Sequence, residues 1–583
     1  MIQDKKKHQK RLNSVIGLIF GVLLLLIAVK AVYIQAFRDK WLTGKGITQS
    51  ESSLVTKGRR GTISDANYQE MAVSLEVSSI AAFPAKIKNK RETASALAGI
   101  LKMNKKALYQ KLACGKKFVW IKRKASAANI KNVQKLDMEG LSYIKEESRV
   151  YPNNSMAAQI IGFTGIDNNG LEGVEFYYNN FLEGDTDRTT YIRDAIGRVI
   201  IVKDKKKMEK DYGYNDGNNV ILTIDSRIQN IAEYALKKSV ETFSAKSGMA
   251  VVMIPKTGAI LAIAHFPFFN PNVYNKYNRQ LWRNRAVTDS FEPGSTMKIF
   301  TAASALQTEK CRPDTIFFCE NGKYKIGRRT VHDTHEHGWL SLQQIIKHSS
   351  NIGAVKVIET IGRENLYNTL RNFGFGKKTE IDSPGETPGQ LAYFKKWKKI
   401  DSGAIAFGQG IAVSAVQLLT AVSVIANDGV LMKPYMVQAI TDHNGGLIQN
   451  FGPEKIRRVI SKKNAKRITK MMQSVISEEG TGFNAAIKEY STSGKTGTAQ
   501  KINEHGKYSN SKYIASFVGF APVNKPEIAI LVAINEPVKE HYGGTVAAPV
   551  FRTIAYKSLD YMNIHPDGLF CSRNILNAVS VSR

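Results

Sequence analysis

The sequence predicts a mixed α and β protein: a sheet flanked by a cluster of helices, preceded by a separate mixed domain and a membrane anchor. Three observations predict it. Two short apolar runs, 248–254 and 259–264, flank the turn signal Pro255-Lys-Thr-Gly258 and read as a hairpin of strands, and strand patterns return at 514–535. Between them, from Ile299 to about residue 440, apolar residues recur at helical spacing. Ahead of both, residues 12–29 carry no charge and centre on Val22-Leu-Leu-Leu-Leu-Ile27.

The first 11 residues are polar and basic, with Lys5, Lys6, Lys7, Lys10 and Arg11. The apolar run that follows, taken with Ala31-Val-Tyr-Ile34, has the length of a spanning helix. A cleaved signal peptide would carry a shorter apolar region and a small-x-small cleavage site, and none is evident here. Residues 12–34 are therefore expected to be an uncleaved single-pass anchor. The preceding cations place residues 1–11 in the cytoplasm and everything beyond about residue 35 outside the inner membrane.

At 583 residues the chain is too long for one core. Residues 35–215 form the expected non-catalytic domain, 216–565 the expected catalytic domain and 566–583 a tail. Within 35–215 three stretches stand out: Arg60-Gly-Thr-Ile-Ser-Asp65-Ala-Asn67, Arg149-Val-Tyr-Pro152 and Gly170-Leu-Glu172-Gly-Val-Glu175. Their arginines and glutamates are expected to pair at a domain interface, since an unpaired buried charge is costly. The basic runs 86–91 and 203–210 read as exposed loops.

In the larger domain, Ser295-Thr-Met-Lys298 follows the turn Pro293-Gly294 and opens an apolar helical pattern. Residues three apart share a helix face, so hydroxyl and ammonium meet near a helix start. An activated serine needs such a neighbouring base, together with backbone N–H groups aimed at developing negative charge. Two further stretches follow in order: Ser349-Ser-Asn351, 349 − 295 = 54 positions on, and Lys495-Thr-Gly-Thr498, another 495 − 349 = 146. This trio in this order marks penicillin-binding proteins and class A β-lactamases.

The flanking residues agree: Asn284-Arg-Ala, Phe407-Gly-Gln-Gly410, Thr492-Ser-Gly ahead of Lys495, and Gly543-Gly-Thr-Val-Ala-Ala-Pro549. Over about residues 12–560 the chain resembles the class B, monofunctional penicillin-binding proteins, and within them the septal, division type, through its Glu-Pro-Gly-Ser context and modest length. It departs from the family form Arg-Gly-x-Ile-x-Asp-Arg-Asn-Gly at Ala66 and Tyr68, which puts an interdomain ion pair in doubt.

The resemblance implies a transpeptidase domain with a central antiparallel sheet and a helical cluster. It implies acyl transfer on stem peptides ending in D-Ala-D-Ala, with no cofactor and no metal. Ser295 would attack, Lys298 would take its proton, and Ser349 would relay a proton to the leaving nitrogen. Asn351 would position Lys298 and substrate. Lys495, Thr496 and Thr498 would hold the terminal carboxylate at a strand edge, and Gly497 would let substrate approach the backbone. The implied partners are peptidoglycan stem peptides and their lipid-linked precursor, β-lactams, a SEDS-family glycosyltransferase and other divisome membrane proteins.

The anchor and the large first domain argue against a β-lactamase. A β-lactam sensor or scaffold with little turnover and an elongation-type transpeptidase stay as alternatives. The net charge of +33 asks for an anionic neighbour. With no zinc-finger spacing and no nucleic-acid-binding motif, that neighbour reads as a membrane or cell-wall surface. Cys114, Cys311, Cys319 and Cys571 are too few for a disulfide framework; a Cys311–Cys319 bridge and two free thiols both remain open. The stretch His332-Asp-Thr-His335-Glu-His337 is weighed as a metal site against a rim loop, and the loop is preferred.

Overall fold

The computed structural model describes residues 2–38, 41, 51–193, 199–202, 216–503 and 506–567. The basic run 203–210 and Cys571 lie outside them. The described chain divides into two compact units, residues 1–58 with 184–216, and residues 59–183 with 217–583.

In the first unit, Ile2–Phe37 is one continuous helix, and its Lys10–Phe37 portion is long and apolar enough to cross a membrane. Its apolar side chains stand exposed, with Leu18, Phe20, Leu24 and Leu25 all above 60%. That exposure fits a single-pass anchor, because a helix apolar all round needs lipid or protein around it. The same unit holds a three-stranded antiparallel sheet of Glu51–Lys57, Thr186–Arg193 and Val199–Val202.

The second unit is built on two sheets. The catalytic one is antiparallel, with β1 (Ser247–Met253), β2 (Ile260–Phe266), β3 (Ser493–Ile502), β4 (Tyr508–Ala521) and β5 (Ile528–Asn535) in the order β2-β1-β5-β4-β3. Successive strand residues face opposite sides, and β5 uses both. Ile528, Ile530, Val532 and Ile534 pack with Ser226–Thr242 and Ala548–Tyr561, while Ala529, Leu531 and Ala533 pack against the helical cluster. A strand buried on both faces reads as a continuous apolar run, as Ile528-Ala-Ile-Leu-Val-Ala-Ile534 does. The expected sheet with flanking helices is thus observed. The helices end earlier than expected, however. After Ala415–Ala426 the chain turns to strands at Val430–Met432 and Val437–Thr441, because Gly429 (φ 88°) and Pro434 stop helical continuation.

The other sheet runs across the expected 215/216 boundary. Asn219–Leu222 pairs antiparallel with Val437–Thr441 on one side and parallel with Ile63–Ser64 on the other; Glu70–Ala82 then continues the sheet. Next to it lies a buried charge cluster. Glu175 accepts from Arg60 Nε at 2.6 Å and from Arg149 Nε at 2.6 Å, with all three side chains nearly inaccessible. The expected pairing forms within the 59–183 segment, and it lies beside residues of the larger domain: Tyr151, whose hydroxyl donates to Glu175, bonds through its N–H to Asn272 Oδ1 at 2.9 Å. Burial would raise the Glu175 pKa, yet the two guanidinium groups hold it below the ordinary value. Its contribution to stability is therefore complete above the usual carboxylate range and is lost as pH falls through the depressed native value. Glu175→Ala is expected to cost about 3–5 kcal/mol, because it leaves two buried cations unpaired; thermal denaturation in detergent checks this.

Ala66 and Tyr68 also have a structural account. Where the family form has Arg, Ala66 docks through its backbone, its N–H donating to Ile224 O at 2.8 Å. Asn67 Nδ2 donates to Asp225 and Ser226 N to Asp65. The junction is held by neutral and charge-assisted hydrogen bonds instead of that arginine's ion pair. Tyr68 takes φ 62°, the left-handed region for which the family's glycine is suited.

Candidate active site

The first motif sits on a tight turn. Gly294 takes φ 55° and bonds through its N–H to Gly408 O, and Gly294–Met297 forms a short 3₁₀ turn before α1 (Lys298–Gln307). A Cβ at Gly408 would stand 2.0 Å from Gly294 O, which explains the glycine in Phe407-Gly-Gln-Gly410. Ser295 therefore lies one 3₁₀ turn ahead of the α-helix, with part of its surface open.

The second motif joins two helices, α2 (Leu342–His348) and α3 (Asn351–Ile361). Ser349 ends α2 in the left-handed conformation, φ 61°. Strain of this kind persists only where surroundings fix it, and it gathers at functional sites. Here the turn aims both the carbonyl and the hydroxyl of Ser349 at one lysine. The third motif is on β3, the sheet edge, as expected.

Lys298 is fully buried. Its Nζ lies 2.5 Å from Ser349 O, 2.8 Å from Asn351 Oδ1 and 3.0 Å from Ser295 Oγ, with Ser349 Oγ at 3.2 Å. Burial brings its pKa down to about 7, against an upward push from Asp333. A neutral amine has two N–H bonds and one lone pair. Ser349 O and Asn351 Oδ1 can only accept, so they take the two N–H directions, and the lone pair is left toward the Ser295 hydroxyl. That is the geometry of a general base.

Lys495 is also fully buried, and burial followed by repulsion from Lys298 lowers its pKa well below the ordinary lysine value. It donates to Ser349 Oγ at 2.9 Å and lies against Thr496 O and Oγ1 at 3.2 and 3.3 Å. Ser349 Oγ thus bridges the two lysines. Thr496 Oγ1 also bonds Thr481 Oγ1 at 2.9 Å, and Thr498 Oγ1 accepts from Gly543 N at 3.2 Å. Gly497 is packed closely by its own protein. A Cβ there would stand 2.3 Å from Ser516 Oγ and 2.9 Å from Pro293 O, so protein fills the space that its missing side chain leaves.

One residue that supports these groups was not singled out from sequence. Asp333 accepts from Asn351 N at 2.5 Å and Ile352 N at 3.0 Å through one oxygen, and from Ser350 Oγ at 2.5 Å through the other. Ser350 Oγ in turn caps Gly353 N. Asn351 Nδ2 donates to His332 O at 2.8 Å. The His332–His337 stretch is thus a clamp on the start of α3, an anion at a helix N-terminus. Among the described residues no three metal-ligating side chains converge; His337 instead faces His348, ring centroids 5.2 Å apart. Cys311 and Cys319 are buried free thiols, Cys114 an exposed one.

Residues 248–556 match the penicillin binding protein transpeptidase domain, and residues 55–220 match the penicillin-binding protein dimerisation domain. This chain belongs to the penicillin-binding transpeptidases. Among relatives of this transpeptidase, a probable peptidoglycan D,D-transpeptidase PenA of Neisseria meningitidis is 33% identical over 97% of the chain and 95% of that protein. The peptidoglycan D,D-transpeptidase FtsI of Escherichia coli is 31% identical over 97% and 95%. The stage V sporulation protein D of Bacillus subtilis is 33% identical over 96% and 86%. In structure, penicillin binding protein 3 of Mycobacterium tuberculosis, solved with aztreonam, superposes with a TM-score of 0.68 at 26% identity, over 88% of this chain and 98% of that one. The transpeptidase described here is a serine-type enzyme of peptidoglycan synthesis.

Proposed function

We propose that the enzyme cross-links stem peptides through an acyl-enzyme on Ser295. The observation that carries this is the Lys298 amine, neutralised by burial, with its one uncommitted direction on Ser295 Oγ. Lys298 takes the hydroxyl proton as Ser295 attacks the carbonyl of the penultimate D-Ala, and the C–N bond to the terminal D-Ala breaks. Ser349, between two lysines, passes a proton to the departing nitrogen. An amine of a neighbouring stem peptide then attacks the ester and restores Ser295. Thr496 and Thr498 hold the terminal carboxylate in the positive field of Lys495. Donors to the developing oxyanion contribute about 3–4 kcal/mol each.

Within that activity we propose a septal role, with a SEDS-family glycosyltransferase as partner, an extracytoplasmic catalytic domain and a cytoplasmic N-terminus. The Glu292-Pro-Gly-Ser295 context and the likeness to FtsI support the septal reading.

Peptide mapping of the detergent-solubilised chain after benzylpenicillin treatment is expected to place one stable adduct on the 295-containing peptide. An adduct elsewhere, or rapid return to unmodified mass, would sink the assignment. Cross-linked dimers formed from lipid-linked precursor and a partner polymerase separate enzyme from sensor. Filaments on depletion in the source organism support the septal role, and rounded cells point to elongation.

A further inference from the structure

The densest positive charge in the chain lies far in sequence from the catalytic motifs. Residues 86–135 hold 15 Lys and Arg against one acid, Glu92, a net 15 − 1 = +14 over 50 of the 583 residues, within a total of +33. They build a small lobe on the end of the strand Glu70–Ala82, from helices Lys90–Leu101, Lys105–Ala113 and Ala127–Gln134 and the strand Val119–Ala125. Residues 86–91, read from sequence as a loop, run into the first of these helices at Lys90. The lobe has its own apolar core, with Leu97, Leu101, Leu108, Leu112, Ile121 and Val133 all buried. That core accounts for folding and gives the cations no part in it.

The lysines stay uncommitted. Glu139 pairs with Lys88, and Glu146 and Asp167 pair with Arg123. Lys102, Lys105, Lys106, Lys116, Lys117 and Lys131 are exposed and join no ion pair among the described residues. Helix Lys105–Ala113 is about 14 Å long, with Lys102, Lys105 and Lys106 at one end and Lys116 and Lys117 just past the other. Like charges this close repel one another, and a surface that brings them anions relieves the repulsion.

We propose that this lobe docks on a bilayer surface bearing anionic phospholipid headgroups. Two observations single out a bilayer among anionic partners. The chain carries the apolar helix Lys10–Phe37, and Arg59 follows Phe37 by 59 − 37 = 22 residues, a reach of at most roughly 80 Å. With that helix in a membrane, headgroups are held near the lobe at high effective concentration. Of the 15 cations, 13 are lysines. Lysine is a flexible point charge suited to a fluid array of phosphodiesters, whereas fixed planar carboxylates favour the arginine fork. Each lysine brought to such a surface favours docking about fivefold. Docking depends on residues 12–34 being an anchor and is independent of the Ser295 chemistry.

Cys114, an exposed free thiol at the end of helix Lys105–Ala113, lies among these lysines and takes a fluorophore. Cys311 and Cys319 are buried, and Cys571→Ser removes the fourth thiol. The full chain is reconstituted into bilayer discs, and energy transfer from Cys114 to headgroup-labelled lipid is read, with Cys114→Ser as background. Replacing a third of the phosphatidylcholine with phosphatidylglycerol is expected to raise transfer about twofold or more. Raising salt from about 0.15 to 1 M, which shortens the Debye length from about 8 to 3 Å, is expected to reverse the rise. Combined Lys105→Glu, Lys106→Glu, Lys116→Glu and Lys117→Glu is expected to abolish it, while the same reversal at the exposed Lys455, Lys463, Lys466 and Lys470 keeps it. Uptake of benzylpenicillin shows that each variant is folded, and the lipid and salt series needs no variant. Transfer indifferent to phosphatidylglycerol would overturn the proposal, as would a rise that survives the lobe variant or is lost equally in the other. So would capture of the detergent-solubilised chain by isolated peptidoglycan sacculi through the same lysines without a lipid response, which assigns the lobe to the cell-wall polymer.

Discussion

Lys298→Ala is expected to acylate with benzylpenicillin about 10³-fold or more slowly than the parent chain, within the range that loss of a positioned base costs. Ser295→Ala, which has no nucleophile, sets the zero. The size follows from the arrangement around Nζ: only the neutral amine can receive the Ser295 proton, and burial makes that form available near physiological pH by lowering its pKa to about 7. The sign of the pH dependence follows as well. Below that value the lysine is protonated and all three of its directions donate, so the acylation rate falls about tenfold per pH unit. Above it the rate levels off. Stopped-flow acylation between acidic and mildly alkaline pH checks this. A profile flat through neutrality would remove Lys298 from the role of base.

Asp333→Ala is expected to slow acylation about 10²-fold, the cost of small misplacements of reacting groups, and to lower the melting temperature. Three donors at the start of α3 lose their acceptor at once, and Asn351, which holds Lys298, starts that helix. Asp333→Asn is expected to recover much of the rate, since its amide oxygen can still accept from both backbone N–H groups and its NH₂ can donate to the Ser350 hydroxyl. It carries a separate signature. Asp333 pushes the Lys298 pKa upward, so loss of its charge should move the rising limb of the pH profile toward acid. A merely structural residue would lower the amplitude and leave that limb in place. A parent-like rate in Asp333→Ala would refute the clamp.

Much of the site was readable because its chemistry is local or carried by spacing. Ser295 and Lys298 meet through one turn, and Ser349, Asn351 and Lys495 fall at the family's intervals. Asp333 was hidden because its partners, Ser350 to Ile352, are reached only after the 323–332 hairpin and α2 have folded back. In one dimension it stands among histidines in a stretch that reads as a rim loop, with nothing to name its partners. The crowding at Gly497 was hidden for a related reason: the atoms beside its Cβ position, on Ser516 and in Pro293, come from elsewhere in the chain. The antiparallel sheet was legible as a hairpin with later apolar runs, and β5 announced burial on both faces. The parallel pairing of Ile63–Ser64 with Asn219–Leu222 was not, since two short strands more than 150 residues apart carry no pattern that names each other.

That pairing has a consequence for anyone who would cut the protein at residue 216 to obtain its catalytic half alone. The cut severs a ladder. Val220 and Ile221 would lose Ile63 and Ser64 as neighbours, and Val220 N would lose its bond to Thr62 O. What had been an interior strand becomes a raw margin, open to the same margin on another molecule. The two halves are neighbours in function but share one woven edge, and a fragment lacking residues 59–183 would be an adhesive object, not a smaller enzyme.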